Sequence, residues 1–93
     1  MATFKKITQS FTEMPDDLDG KHEVIVTIES MSTGVPNITA VMDAVFKDGK
    51  LVKFKFTDFY DAESEDEEAD LNSTQIRELE NIIKGAKIQD LFE

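Results

Sequence analysis

Between Asp61 and Asp70, seven of ten residues are carboxylates: Asp61, Glu63, Glu65, Asp66, Glu67, Glu68 and Asp70, with no Lys or Arg among them. Such side chains can hold cations, trade protons as acid and base, or stand in for the phosphates of a nucleic acid. The chain has 10 basic and 20 acidic residues, a formal net charge of −10; the block supplies −7 and everything else −3. The charge is therefore concentrated. These carboxylates sit well inside a Debye length of roughly 8 Å at physiological salt, so a local negative potential survives screening and attracts positive surfaces. Just before the block, Asp58, Phe59 and Tyr60 place aromatic rings among carboxylates, a combination suited to arginine, which both ion-pairs and stacks. The expected partner-binding set is Asp58, Phe59, Tyr60, Asp61, Glu63, Glu65, Asp66, Glu67, Glu68 and Asp70, assisted by Asp16, Asp17 and Asp19.

Other chemistries are less well served. A calcium loop starting at Asp61 needs Gly at its sixth position and Glu at its twelfth, where the chain has Asp66 and Asn72. Asp58 and Asp61 could act as an acid and base pair, but so small a domain seldom houses the cleft that glycoside hydrolysis requires. His22 is the lone histidine and has no second positioned group beside it, so a surface role is expected. There is no cysteine, no Gly-rich phosphate loop and no metalloprotease signature. Ser64, followed by Glu65, Asp66 and Glu67, matches an acidophilic kinase acceptor, a pattern common by chance and left unassigned. A non-catalytic protein without metal or cofactor is expected. The plain alternative for the block is a solvated, self-repelling loop.

The elements that position these residues follow from spacing. Phe4, Ile7, Phe11 and Met14 recur at three and four, which predicts a helix over 4–13 capped by Thr3 and stopped by Pro15. Val24, Val26 and Ile28 alternate with polar residues and predict a strand over 21–31; further strands are expected over 38–47 and 51–60. Between the last two, Lys47-Asp48-Gly49-Lys50 turns the chain. A bulged type I turn pairs Ala44 with Val52, Met42 with Phe54 and Ala40 with Phe56, setting small residues against large. Val41, Asp43, Val45, Leu51, Lys53 and Lys55 then form the opposite face, with Asp43 across from Lys53. Asn72 and Gln75 form a capping box for a helix over 73–84 ended by Gly85. Ile88, Leu91 and Phe92 mark a short helix over 86–92.

The fold expected is α+β: an N-terminal helix, a three-stranded antiparallel meander, an acidic loop over 58–71, and a C-terminal helix plus a short terminal helix, all in one domain spanning 1–93. No apolar stretch approaches the ~18 residues of a membrane span, and the N-terminal residues lack the apolar run of a secretion signal, so a cytoplasmic protein is expected. A pI near 4.4 sets the protein against direct contact with nucleic acid or anionic lipid. In size, acidity and lack of cysteine the chain is similar to the small acidic inhibitors that phages encode against restriction or CRISPR nucleases, with no shared motif. This implies a DNA or RNA mimic that occludes a basic groove of a nucleic-acid-handling protein. The alternative is an adaptor, immunity protein or assembly chaperone binding through the apolar outer sheet face at Val41, Val45 and Leu51. A homodimer formed through a strand edge is also compatible with the pattern.

Overall fold

The computed structural model describes residues 3–93, the side chains of Glu65 and Asp66 excepted. Five strands run in sequence order as one antiparallel sheet: β1 (Phe4–Ser10), β2 (Gly20–Ser30), β3 (Ile38–Lys47), β4 (Lys50–Asp61) and β5 (Ser64–Glu68). Helices α1 (Ser73–Gly85) and α2 (Ile88–Leu91) follow. The expected fold is corrected at both ends of the meander. Among the described residues there is no N-terminal helix, and the strands number five, not three.

The N-terminal correction has a physical cause. Phe4, Ile7 and Ser10 lie three apart, and the β1–β2 pairing slips between Phe4 and Ile7 and again between Ile7 and Gln9. Each slip inserts an extra residue, and a bulge of this kind brings residues three apart onto one face. Phe4 and Ser10 are buried and Ile7 packs on the core, whereas Phe11 and Met14, the rest of the supposed helical stripe, are exposed. An isolated helix of ten residues is marginal in water; pairing with β2 gives the same residues a backbone ladder.

One face of the sheet holds the core. Val24, Val26 and Ile28 of β2 and Ile38, Ala40, Met42, Ala44 and Phe46 of β3 are buried beneath Leu79 and Ile83 of α1 and Leu91 and Phe92 at the C-terminal end. Each large aliphatic side chain so removed from water contributes roughly 1.5–3 kcal/mol. The capping box of α1 forms: the Gln75 N–H donates to Asn72 Oδ1 at 2.9 Å and the Asn72 N–H to Gln75 Oε1 at 3.0 Å. Gly85 does not adopt the left-handed conformation expected of a terminator; Ala86 ends the helix in an extended conformation. Glu78 on α1 accepts from the N–H groups of Thr3 at 2.5 Å and Phe4 at 3.3 Å. Desolvation raises its pKa, but those N–H donors and the Thr3 side chain outweigh it and hold the carboxyl below its usual range. Ser10 Oγ donates to the Leu91 carbonyl at 2.8 Å, fastening α2 to β1.

The β3–β4 hairpin departs from the expected register. Asp48 and Gly49 both have positive φ, 53° and 75°, which defines a two-residue type I′ turn with Lys47 facing Lys50. Bulges restore the alternation that such a turn alone would spoil. The first lies between the pairs Val45–Lys53 and Phe46–Leu51, the second between Val41–Asp58 and Met42–Phe56. Phe54 therefore faces Ala44, Phe56 faces Met42 and Phe59 faces Ala40. Leu51 joins the core side, contrary to its expected place on the outer face, and Val52 is pushed out to 55% exposure. Asp43 pairs with Lys55, not Lys53. His22 is half-buried rather than a free surface residue; its Nε2–H donates to the Leu18 carbonyl at 3.0 Å and its ring lies 6.1 Å from that of Phe46.

Candidate protein-binding surface

The acidic block is built into the sheet and is not the loop expected over 58–71. β4 runs on to Asp61, Ala62 and Glu63 turn the chain, and β5 returns with Glu68 opposite Tyr60 and Ser64 opposite Asp61. Three hydrogen bonds set this hairpin. The Glu63 N–H donates to Asp61 Oδ1 at 2.8 Å, the Ala62 N–H to the Asn37 carbonyl at 2.9 Å, and the Ala69 N–H to the Phe59 carbonyl at 2.9 Å. Asn37 is itself anchored, its Oδ1 accepting from the Ser30 N–H at 2.9 Å. The tip is thereby tied to the β2–β3 connection.

Four of the sequence-derived site residues converge. Asp61, Glu67, Glu68 and Asp70 line a cleft of about 270 Å³ whose other wall includes Val35, Pro36 and Leu71. Val35 and Pro36 carried no sequence signal beyond that of a turn; the hairpin brings them here. Glu63 is exposed beside the tip, and Asp58 is exposed on the outer sheet face across from Val41. The assignments at Glu65 and Asp66 fall outside the described side chains. The two aromatics separate. Phe59 points to the core side, 5.0 Å from the Phe56 ring, so it supports the hairpin from within. Tyr60 belongs to the outer face, where it lines a depression of about 330 Å³ with Phe11, Ile25, Thr27 and Thr39. Asp16, Asp17 and Asp19 are exposed in the β1–β2 connection, which meets the opposite end of β2 from the hairpin tip.

Among the described residues the charge of this end is not offset by an ion pair. Among the described residues the ion pairs are Lys5–Glu29 at 3.9 Å and Lys21–Asp43 at 3.7 Å, both exposed and neither involving the block. β5 carries four carboxylates in its five residues, SEDEE. Chemically, such a surface can receive guanidinium and ammonium groups. Among the described residues no three His, Asp or Glu side chains are grouped to hold a metal, and no helix is long and apolar enough to cross a membrane.

Fold and site together define a small antiparallel sheet domain with one helix-covered face and an acidic β-hairpin at one corner. No protein-family model matches the chain, and neither the curated proteins nor the solved structures contain a significant match.

Proposed function

We propose that the acidic hairpin is a recognition element for a basic protein surface, and that the protein is a cytoplasmic, non-catalytic inhibitor which occupies the nucleic-acid-binding groove of a DNA- or RNA-handling partner. Its carboxylates take the place of phosphates. Asp61, Glu67, Glu68 and Asp70 receive arginine or lysine at the cleft, Glu63 extends the contact past the hairpin tip, and Tyr60 and Asp58 meet the rim. The observation that carries this reading is the gathering of four carboxylates around one cleft, none of them in an ion pair among the described residues. Preformed charge of one sign gives fast, orientation-selective association, and it weakens as salt rises.

The test is affinity capture from a lysate of the native host. Wild type is compared with a variant carrying Glu63→Gln, Glu67→Gln, Glu68→Gln and Asp70→Asn. The reading expects a nucleic-acid-binding protein retained by wild type and lost by the variant; equal retention by both contradicts it.

A second reading, an adaptor or assembly chaperone, draws on the outer sheet face. There Phe11 is 49% exposed beside Ile25, Val41 and Tyr60. With Leu51 on the core side, this patch centres on Phe11, Ile25 and Val41. Binding through it should survive salt and acid neutralisation and fail when Ile25 or Val41 becomes Glu.

A further inference from the structure

The opposite end of β4 from the acidic hairpin is open and basic. Among the described residues β5 pairs with β4 at Tyr60 and Asp61, and Ala69 adds a hydrogen bond to the Phe59 carbonyl. Among the described residues, nothing pairs with the outward edge of β4 from Lys50 to Asp58, and its backbone N–H and C=O groups on that side are free. Beside this edge lies a groove of about 580 Å³, between β4 and the C-terminal part of α1. Its floor is apolar, with Leu51, Phe54, Ile83 and Ile88. Lys50, Lys53, Lys84 and Lys87 line it against a single acid, Glu80. Four cations around one groove stand out in a chain of net charge −10.

We infer that the open edge of β4 and the lysine-lined groove beside it accept an extended acidic peptide segment of a partner protein by strand addition. An added strand satisfies the free backbone groups of β4. It also places alternate side chains on opposite sides of the sheet, one set over the apolar groove and the other beside Lys53 and Lys55 on the outer face. The segment that fits alternates apolar with acidic residues. A second copy of β4 does not fit, because antiparallel pairing of two such edges brings lysines together, and like charges across strands are destabilising. The β1 edge is a poorer acceptor. It is bulged twice, and Glu78 already occupies the N–H groups of Thr3 and Phe4. The uninterrupted stretch of β4 between its two bulges, Lys53–Phe56, limits the ladder to a few residues and so to modest affinity.

The probe is a fluorescein-labelled peptide, Gly-Glu-Val-Glu-Phe-Glu-Val-Gly, titrated with the intact protein at about 50 mM salt, where electrostatic contacts are least screened. Anisotropy should report saturable binding. Backbone amide resonances of residues 50–58 should shift, while those of Tyr60 and Glu68 should not. Affinity should fall about tenfold or more when Glu is replaced by Lys in the peptide, and likewise in a variant with Lys53→Glu, Lys84→Glu and Lys87→Glu whose circular dichroism matches wild type. Methylating alternate peptide nitrogens should abolish binding. The inference is overturned if the amides of 50–58 do not move, in which case the lysines merely guard the edge against aggregation. It is also overturned if the methylated peptide binds undiminished, or if the protein self-associates through this edge in sedimentation and the peptide does not dissociate it. Lys-end variants leave the acidic hairpin intact, so failure here is distinct from failure of the function proposed above.

Discussion

The two halves of β4 are opposites. From Lys47 to Lys55 the chain carries four lysines and one aspartate; from Asp58 to Asp70 it carries eight carboxylates and no cation. The acidic half is paired, tied to β5 and the β2–β3 connection, whereas among the described residues nothing pairs with the outer edge of the basic half. Both halves rest on the same core side, through Leu51, Phe54, Phe56 and Phe59. A single net charge of −10 thus conceals a polarised molecule, in which one strand presents a structured anion at one end and a cationic edge at the other.

Both ends of β4 depend on one core. Phe46→Ala or Leu79→Ala removes a fully buried side chain and should cost about 3–5 kcal/mol, a large part of the roughly 5–15 kcal/mol that a domain has. Chemical denaturation followed by amide resonances should show both ends of β4 lost in one transition; separate transitions would mean that they do not share a core. Gly49→Ala acts on the basic end alone. A side chain at φ 75° costs about 1–2 kcal/mol, and hydrogen exchange should accelerate around Phe46 and Leu51 while Tyr60 and Asp61 stay protected.

Glu78→Gln sits at neither end and serves as a control. Losing the charged acceptor of the Thr3 and Phe4 N–H groups should cost about 1 kcal/mol or less at neutral pH, given its partial exposure. Its folded-state pKa is lowered, so the stabilisation is fully present above the ordinary glutamate range and is lost as pH falls through the folded value. Acid titrations of stability should therefore bring wild type and variant together at low pH. The smallest effect has the opposite sign. Neutralising Glu63, Glu67, Glu68 and Asp70 relieves repulsion in the hairpin and should raise stability by a few tenths of a kcal/mol. Added salt should stabilise wild type more than this variant in thermal melts.

Where local pattern and tertiary structure agree, the fold is legible in the residues. The alternation around Val24 and Ile28 marks β2, Ile38 to Lys47 marks β3, and Asn72 with Gln75 marks the start of α1. Where bulges intervene, periodicity misleads. Phe4, Ile7, Phe11 and Met14 at spacings of three and four read as helix, but two bulges in an edge strand place Phe4, Ile7 and Ser10 on one face and so imitate that period at its start. Bulges at Val52 and Thr57 likewise move Leu51 into the core and Val52 out of it, which no alternation rule foresees. The acidic block is legible as charge but not as strand. Adjacent carboxylates have low β-propensity and repel one another, and only the hydrogen bonds from Ala62 and Ala69 to distant carbonyls show what holds it. Of the site, the carboxylates could be read directly. The inward turn of Phe59, and the contribution of Val35 and Pro36 to the cleft, depend on register.

Displacement of nucleic acid from the partner tests the proposed occlusion. The captured partner, loaded with labelled duplex DNA or single-stranded RNA, is titrated with this protein at low and high salt while nucleic-acid release is followed. Wild type should release nucleic acid stoichiometrically, with release weakened steeply by salt and lost in the Glu63→Gln, Glu67→Gln, Glu68→Gln, Asp70→Asn variant. Simultaneous binding of nucleic acid and this protein, or release unaffected by the four substitutions, would contradict it.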